Sequence, residues 1–140
     1  MANQGLSRTI REEGISIALR IAIVALTLAT AYIHYTLGGL MFLMNAAGYA
    51  ALAVAMVVPF GFAERFRWAP RLALLAFTLV TIVGWVLVGG RFDLAYLTKG
   101  IEVALVGLLL IDIYRAYGSP ADVAREARSG LSELRAALPV

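Results

Sequence analysis

Residues 20–39 read RIAIVALTLATAYIHYTLGG, and residues 71–90 read RLALLAFTLVTIVGWVLVGG. Set one above the other, eight of the 20 positions are identical: Arg20 with Arg71, Ala22 with Ala73, Ala25 with Ala76, Thr27 with Thr78, Leu28 with Leu79, Thr30 with Thr81, and both members of the Gly-Gly pairs. An arginine at one end and turn glycines at the other belong to any membrane-crossing helix, but that requirement does not explain the interior threonine pairs. Each segment is about as long as one bilayer crossing of roughly 20 residues, and each is followed by a second apolar segment. The chain therefore reads as two helical hairpins of the same orientation, related by a pseudo-twofold axis along the membrane normal. The likeness fades in the second member of each hairpin, where Gly48 meets Gly100 only after a one-residue shift.

Working outward from these segments, the apolar runs predict four transmembrane helices over residues 15–37, 40–60, 71–88 and 94–117. Residues 1–14 form an N-terminal segment and 118–140 a tail. The 140 residues are 61% hydrophobic and only 15% charged, against roughly 45–50% and 25% in ordinary soluble domains. Four crossings leave no room for a separate catalytic domain. With no cysteine and one histidine, thiolate metal sites, disulfides and a two-histidine metal site within one chain are excluded. No phosphate-binding glycine loop, dinucleotide signature, HExxH or GxSxG occurs, so no cofactor or metal is expected and the chain reads as a non-enzyme.

Arg8, Arg11, Arg20, Arg65, Arg67, Arg71, Arg115, Arg125, Arg128 and Arg135 fall on one side of the predicted membrane, and Arg91 and Lys99 on the other. The positive-inside rule puts both termini and the middle loop in the cytoplasm, with the Gly-Gly turns outside, in a bacterial-type inner membrane. The net charge of +3 follows from this topology and gives no argument for nucleic acid. Ala29-Thr30-Ala31 has the small-x-small form of a signal cleavage site, but Arg20 interrupts the apolar run before it. Interfacial aromatics are expected at Tyr32, Tyr35 and Trp85 on the outer side, and at Phe60, Phe62, Phe66, Trp68, Tyr114 and Tyr117 on the inner. After Tyr117, Ser119 reads as an N-cap before Pro120 and Asp122. Val123, Ala127, Leu131, Leu134 and Leu138 then recur at helical spacing, predicting a short cytoplasmic amphipathic helix on the membrane surface or on the cytoplasmic loop. Gly130 weakens it, and Ser7 to Glu13 reads as a shorter surface turn.

Without a hydrophobic penalty in lipid, helices associate through small residues. Ala47, Ala51 and Ala55 in helix two, and Gly100, Ala104 and Gly107 in helix four, are the expected packing stripes. Glu102 and Asp112 lie roughly opposite that second stripe at 100° per residue. Acids within a membrane span face protein or water, so with the small residues packed inside, the acidic side requires another subunit, a partner or an aqueous path. A local solution also exists, because Lys99 precedes Glu102 by three residues and Arg115 follows Asp112 by three, giving each acid an ion-pair partner. Asn45 is expected to hydrogen-bond across helices, His34 to lie solvated at the outer interface.

Two functional expectations follow. In the first, the protein has no chemistry of its own and acts as a homo-oligomeric or accessory subunit of a membrane assembly, with lipid and other membrane subunits as its partners. In the second, it is a small oligomeric channel or transporter whose ion or proton path uses Glu102, Asp112, Asn45 and His34.

Overall fold

The computed structural model describes residues 2–58 and 66–137. Five helices follow one another: α1 (Ala2–Leu37), α2 (Leu40–Val57), α3 (Trp68–Val88), α4 (Asp93–Tyr117) and α5 (Pro120–Ala137). The first four have the length and hydropathy to cross a membrane, so the chain is an all-helical, multi-pass membrane protein with a short C-terminal helix. The N-terminal segment is not a separate surface turn: α1 is one continuous helix of 36 residues, with no proline to break it. The loop residues Phe60, Phe62, Glu64 and Arg65 lie outside the described residues, as do Leu138 and residues 59 and 60 of the expected helix two, which ends at Val57 with Val58 already extended.

Each crossing helix packs against its two neighbours in chain order, and α4 returns to α1; α1 and α3 face each other across the ring, as do α2 and α4. That cyclic order is one that two hairpins related by a pseudo-twofold axis can adopt. Ile23 and Leu74 are equivalent and fully buried, and so are Thr27 and Thr78. The two threonine hydroxyls do the same job, Thr27 Oγ1 donating to the Ile23 carbonyl at 2.7 Å and Thr78 Oγ1 to that of Leu74 at 2.8 Å. Each thus satisfies itself on the turn before, and can sit in an apolar core without a tertiary partner.

The two Gly-Gly pairs are alike in sequence and differ in purpose. Gly38 and Gly39 take φ of +68° and +82°, a backbone that side chains disfavour. Gly89 and Gly90 have no positive φ; a Cβ on Gly89 would instead collide with the Trp85 indole, whose Nε1 donates to the Gly90 carbonyl at 2.9 Å.

The packing faces differ from the expected stripes. Ala47 and Ala51 are exposed and Ala55 is half-buried, while Ala46, Tyr49, Ala53 and Met56 form the buried face of α2. The cause is Tyr49: its hydroxyl needs a polar partner, finds Thr81 on α3, and so sets the rotation of the helix. In α4 the reversal is complete, with Gly100, Ala104 and Gly107 facing outward and Glu102 and Asp112 buried within the bundle. A methylene-poor face costs nothing against lipid, whereas a carboxylate there would cost several kcal/mol, roughly 2.5–3.5 at mid-helix. The acids thus win the interior, and the cover that another subunit was expected to supply comes from the same chain.

α5 packs on the ends of α4 and α3 with Val123 buried. Gly130, expected to weaken it, is buried beside Phe66 and Trp68, at a distance where an added Cβ would make an ordinary contact with the rings.

Candidate functional site: two buried polar centres

The first centre is built around Glu102, which is fully buried on α4. One turn before it, Lys99 Nζ reaches back to Glu102 Oε2 at 2.6 Å and to the Thr81 carbonyl of α3 at 3.3 Å. The Thr81 hydroxyl lies 2.8 Å from the Thr78 carbonyl and 3.2 Å from Glu102 Oε2. It has one proton for these two acceptors, so the Tyr49 hydroxyl, 2.8 Å away, is the donor between the two hydroxyls. One oxygen of Glu102 is therefore well supplied, with a charge-assisted bond from lysine.

The other oxygen is not. Glu102 Oε1 is buried without a hydrogen-bond partner, and the group facing it is His34 Nε2 of α1 at 3.8 Å. The expectation of a solvated His34 is corrected: it is buried, at 3% exposure, with Phe42 and Tyr49 rings on its α2 side. Its Nδ1 stands 2.9 Å from the Thr30 carbonyl. A carbonyl can only accept, so Nδ1 carries a proton and Nε2 is the nitrogen free to gain or lose one. Thr30, the repeat partner of Thr81, is buried in the same turn of α1, and its hydroxyl has no partner.

The second centre lies toward the termini. Arg71 Nε donates to Asp112 Oδ2 at 2.6 Å, with both side chains buried, while Arg71 Nη1 donates to the Arg67 carbonyl at 2.8 Å. This corrects the expected pairing of Asp112 with Arg115, whose Nη2 instead donates to Glu12 Oε2 of α1 at 2.7 Å. The exposed Arg115 reaches the neighbouring helix more readily than it can bend inward, and the helix facing Asp112 already carries a guanidinium.

Ten residues, roughly 15 Å along the helix axis, separate Glu102 from Asp112. Between them Ile23, Leu74, Leu105 and Leu109, each fully buried, fill the bundle. The four residues expected to form one path therefore do not come together: His34 and Glu102 meet, Asp112 belongs to the other centre, and Asn45 is half-buried on α2 one turn before Tyr49. No family model, curated protein or solved structure matches the chain. Its chemistry carries the functional reading. Three contributors, Tyr49, Thr81 and Arg71, were not among the expected site residues. Thr81 was visible only as a repeat position and Arg71 only as a topology signal, and nothing local marks an intramembrane tyrosine as polar machinery.

Proposed function

We propose that this chain is a small proton-handling transport protein with no catalysis of its own, in which His34 and Glu102 together hold one proton within the membrane. The observation that carries the reading is the 3.8 Å approach of His34 Nε2 to Glu102 Oε1, an oxygen that has no other partner. A proton on Nε2 makes the imidazole a cation facing a carboxylate; its removal leaves the neutral Lys99–Glu102 pair. The cluster alternates between one positive charge and none, and an opposite charge is at hand for each ionised group. Ionisable groups at membrane depth mark ion and proton routes by default. The apolar layer of Ile23, Leu74, Leu105 and Leu109 favours a gated carrier over an open pore, because hydrophobic constrictions block conduction until they move.

We read the termini as cytoplasmic and the Gly-Gly turns as outward-facing in a bacterial-type inner membrane. Arg67, Arg71 and Arg115 at one end of the crossing helices, against Arg91 and Lys99 toward the other, support this orientation. His34 and Glu102 then take their proton from the outer side.

Protein reconstituted in liposomes that contain a pH-sensitive dye, under an imposed pH step, tests the proposal. Proton flux in the wild type that falls at least tenfold in both Glu102→Gln and His34→Gln supports it. Absent flux, or flux that neither substitution alters, overturns it.

A further inference from the structure

On the termini side of the bundle a groove of about 1100 Å³ runs along α1, with α2, α3 and α4 supplying its other walls. It opens sideways, toward the surrounding membrane: Ile17, Ile21, Leu28 and Val57 line it and are each about half exposed or more. Most of its charges are already matched, Arg71 with Asp112 and Arg115 with Glu12. Two are left over. Arg20 and Glu13 line the groove and the side chain of neither has an ion pair or hydrogen bond among the described residues.

These two stand on one face of α1, seven residues or about 10 Å apart along the axis. Glu13 is nearer the water. The side chain of Arg20 leans toward the helix N-terminus and can snorkel in that direction, which brings its guanidinium closer to the carboxylate. Deeper than Arg20 the groove wall is Ile21, Val24 and Leu28. From water inward the chemistry is thus anion, cation, hydrocarbon.

That order is the reverse image of a zwitterionic lipid, whose ammonium, phosphate and acyl chain descend in the same sequence. We infer that the groove holds one ethanolamine-type glycerophospholipid, its ammonium on Glu13, its phosphate on Arg20 and an acyl chain along Ile21, Val24, Leu28 and Val57. A free phosphate would satisfy Arg20 and leave the apolar wall uncovered. An anionic lipid would leave Glu13 unmatched. The volume exceeds the roughly 300–1,000 Å³ of pockets for drug-sized ligands, as an occupant of this length requires. This site is independent of the proton reading, since it uses neither His34 nor Glu102.

Native mass spectrometry of the delipidated full chain in mild detergent tests it, with palmitoyl-oleoyl phosphatidylethanolamine, the matching phosphatidylglycerol and inorganic phosphate as probes. One phosphatidylethanolamine per chain is expected, weakened at least tenfold by Arg20→Gln. Glu13→Gln should remove the preference over phosphatidylglycerol. Arg8→Gln, exposed and outside the groove, should leave binding unchanged, and circular dichroism of each variant confirms its helix content. Equal binding of the two lipids by the wild type, unchanged binding in Arg20→Gln, or displacement of the lipid by inorganic phosphate overturns the assignment. A chain dimer that occludes the groove in place of lipid does so as well.

Discussion

At the scale of single residues, the two buried ion pairs make different demands. Lys99 and Glu102 are neighbours on one helix, and their pairing was legible from spacing alone. Arg71 and Asp112 are 41 positions apart, so their pairing depends on the docking of α3 against α4 and no local pattern announces it. Removing one partner of a buried pair leaves a charge that cannot be solvated, at a cost of about 3–5 kcal/mol, whereas replacing both with apolar groups is often neutral. Arg71→Met is accordingly expected to lower stability by about 3 kcal/mol, and Arg71→Met with Asp112→Leu to recover most of the loss. Unfolding in mixed detergent micelles measures both; a double variant no better than the single would mean that Asp112 is not the group that Arg71 neutralises.

At the scale of elements, the extents of the helices were readable because apolar runs and glycine turns are local. Their rotations were not. In a soluble helix the apolar stripe marks the inside, but here lipid and core are both apolar and the stripe disappears. What remains is the placement of polar side chains, and Tyr49 and Glu102 set the orientation of α2 and α4 against the appeal of the alanine and glycine faces. α5, which is polar outward, was legible down to its cap. Ser119 Oγ donates to Asp122 Oδ2 at 2.5 Å and accepts from the Asp122 amide at 3.3 Å. That hydroxyl, with Arg125 nearby, holds the Asp122 carboxyl below its ordinary value of 3.8. A depressed pKa contributes stability that is complete above the unfolded value and lost as the pH falls through the folded one. The first turn of α5 is therefore expected to stay ordered at neutral and mildly acidic pH and to fray only below about 3.8. Ser119→Ala should move that onset upward. Amide exchange of residues 120–126 followed against pH reads the shift, and an onset unmoved by the substitution would remove the cap's role.

At the scale of the whole molecule, the buried acids find their counter-charges within one chain: Lys99 for Glu102 and Arg71 for Asp112. A fold completed in this way needs no second copy to neutralise its interior. The melting temperature in detergent is expected to be independent of protein concentration over a hundredfold dilution, since association that stabilises the native state would make it rise with concentration. A concentration-dependent midpoint would show that subunit contacts contribute to the fold. The 20 aligned positions made the paired crossings legible but not the polar centre: the two segments agree in their threonines at 27 and 78 and part company at His34 against Trp85. One last property follows from α1. At 36 residues it is a stiff rod about 54 Å long, in a slab of hydrocarbon about 30 Å thick. The portion that stands clear of the slab is a mast, stayed to α4 by the Glu12–Arg115 tie. Any rocking of its immersed half is magnified at the tip, which makes the first turn of α1 the natural position for a spin or fluorescent label to report on movement of the bundle.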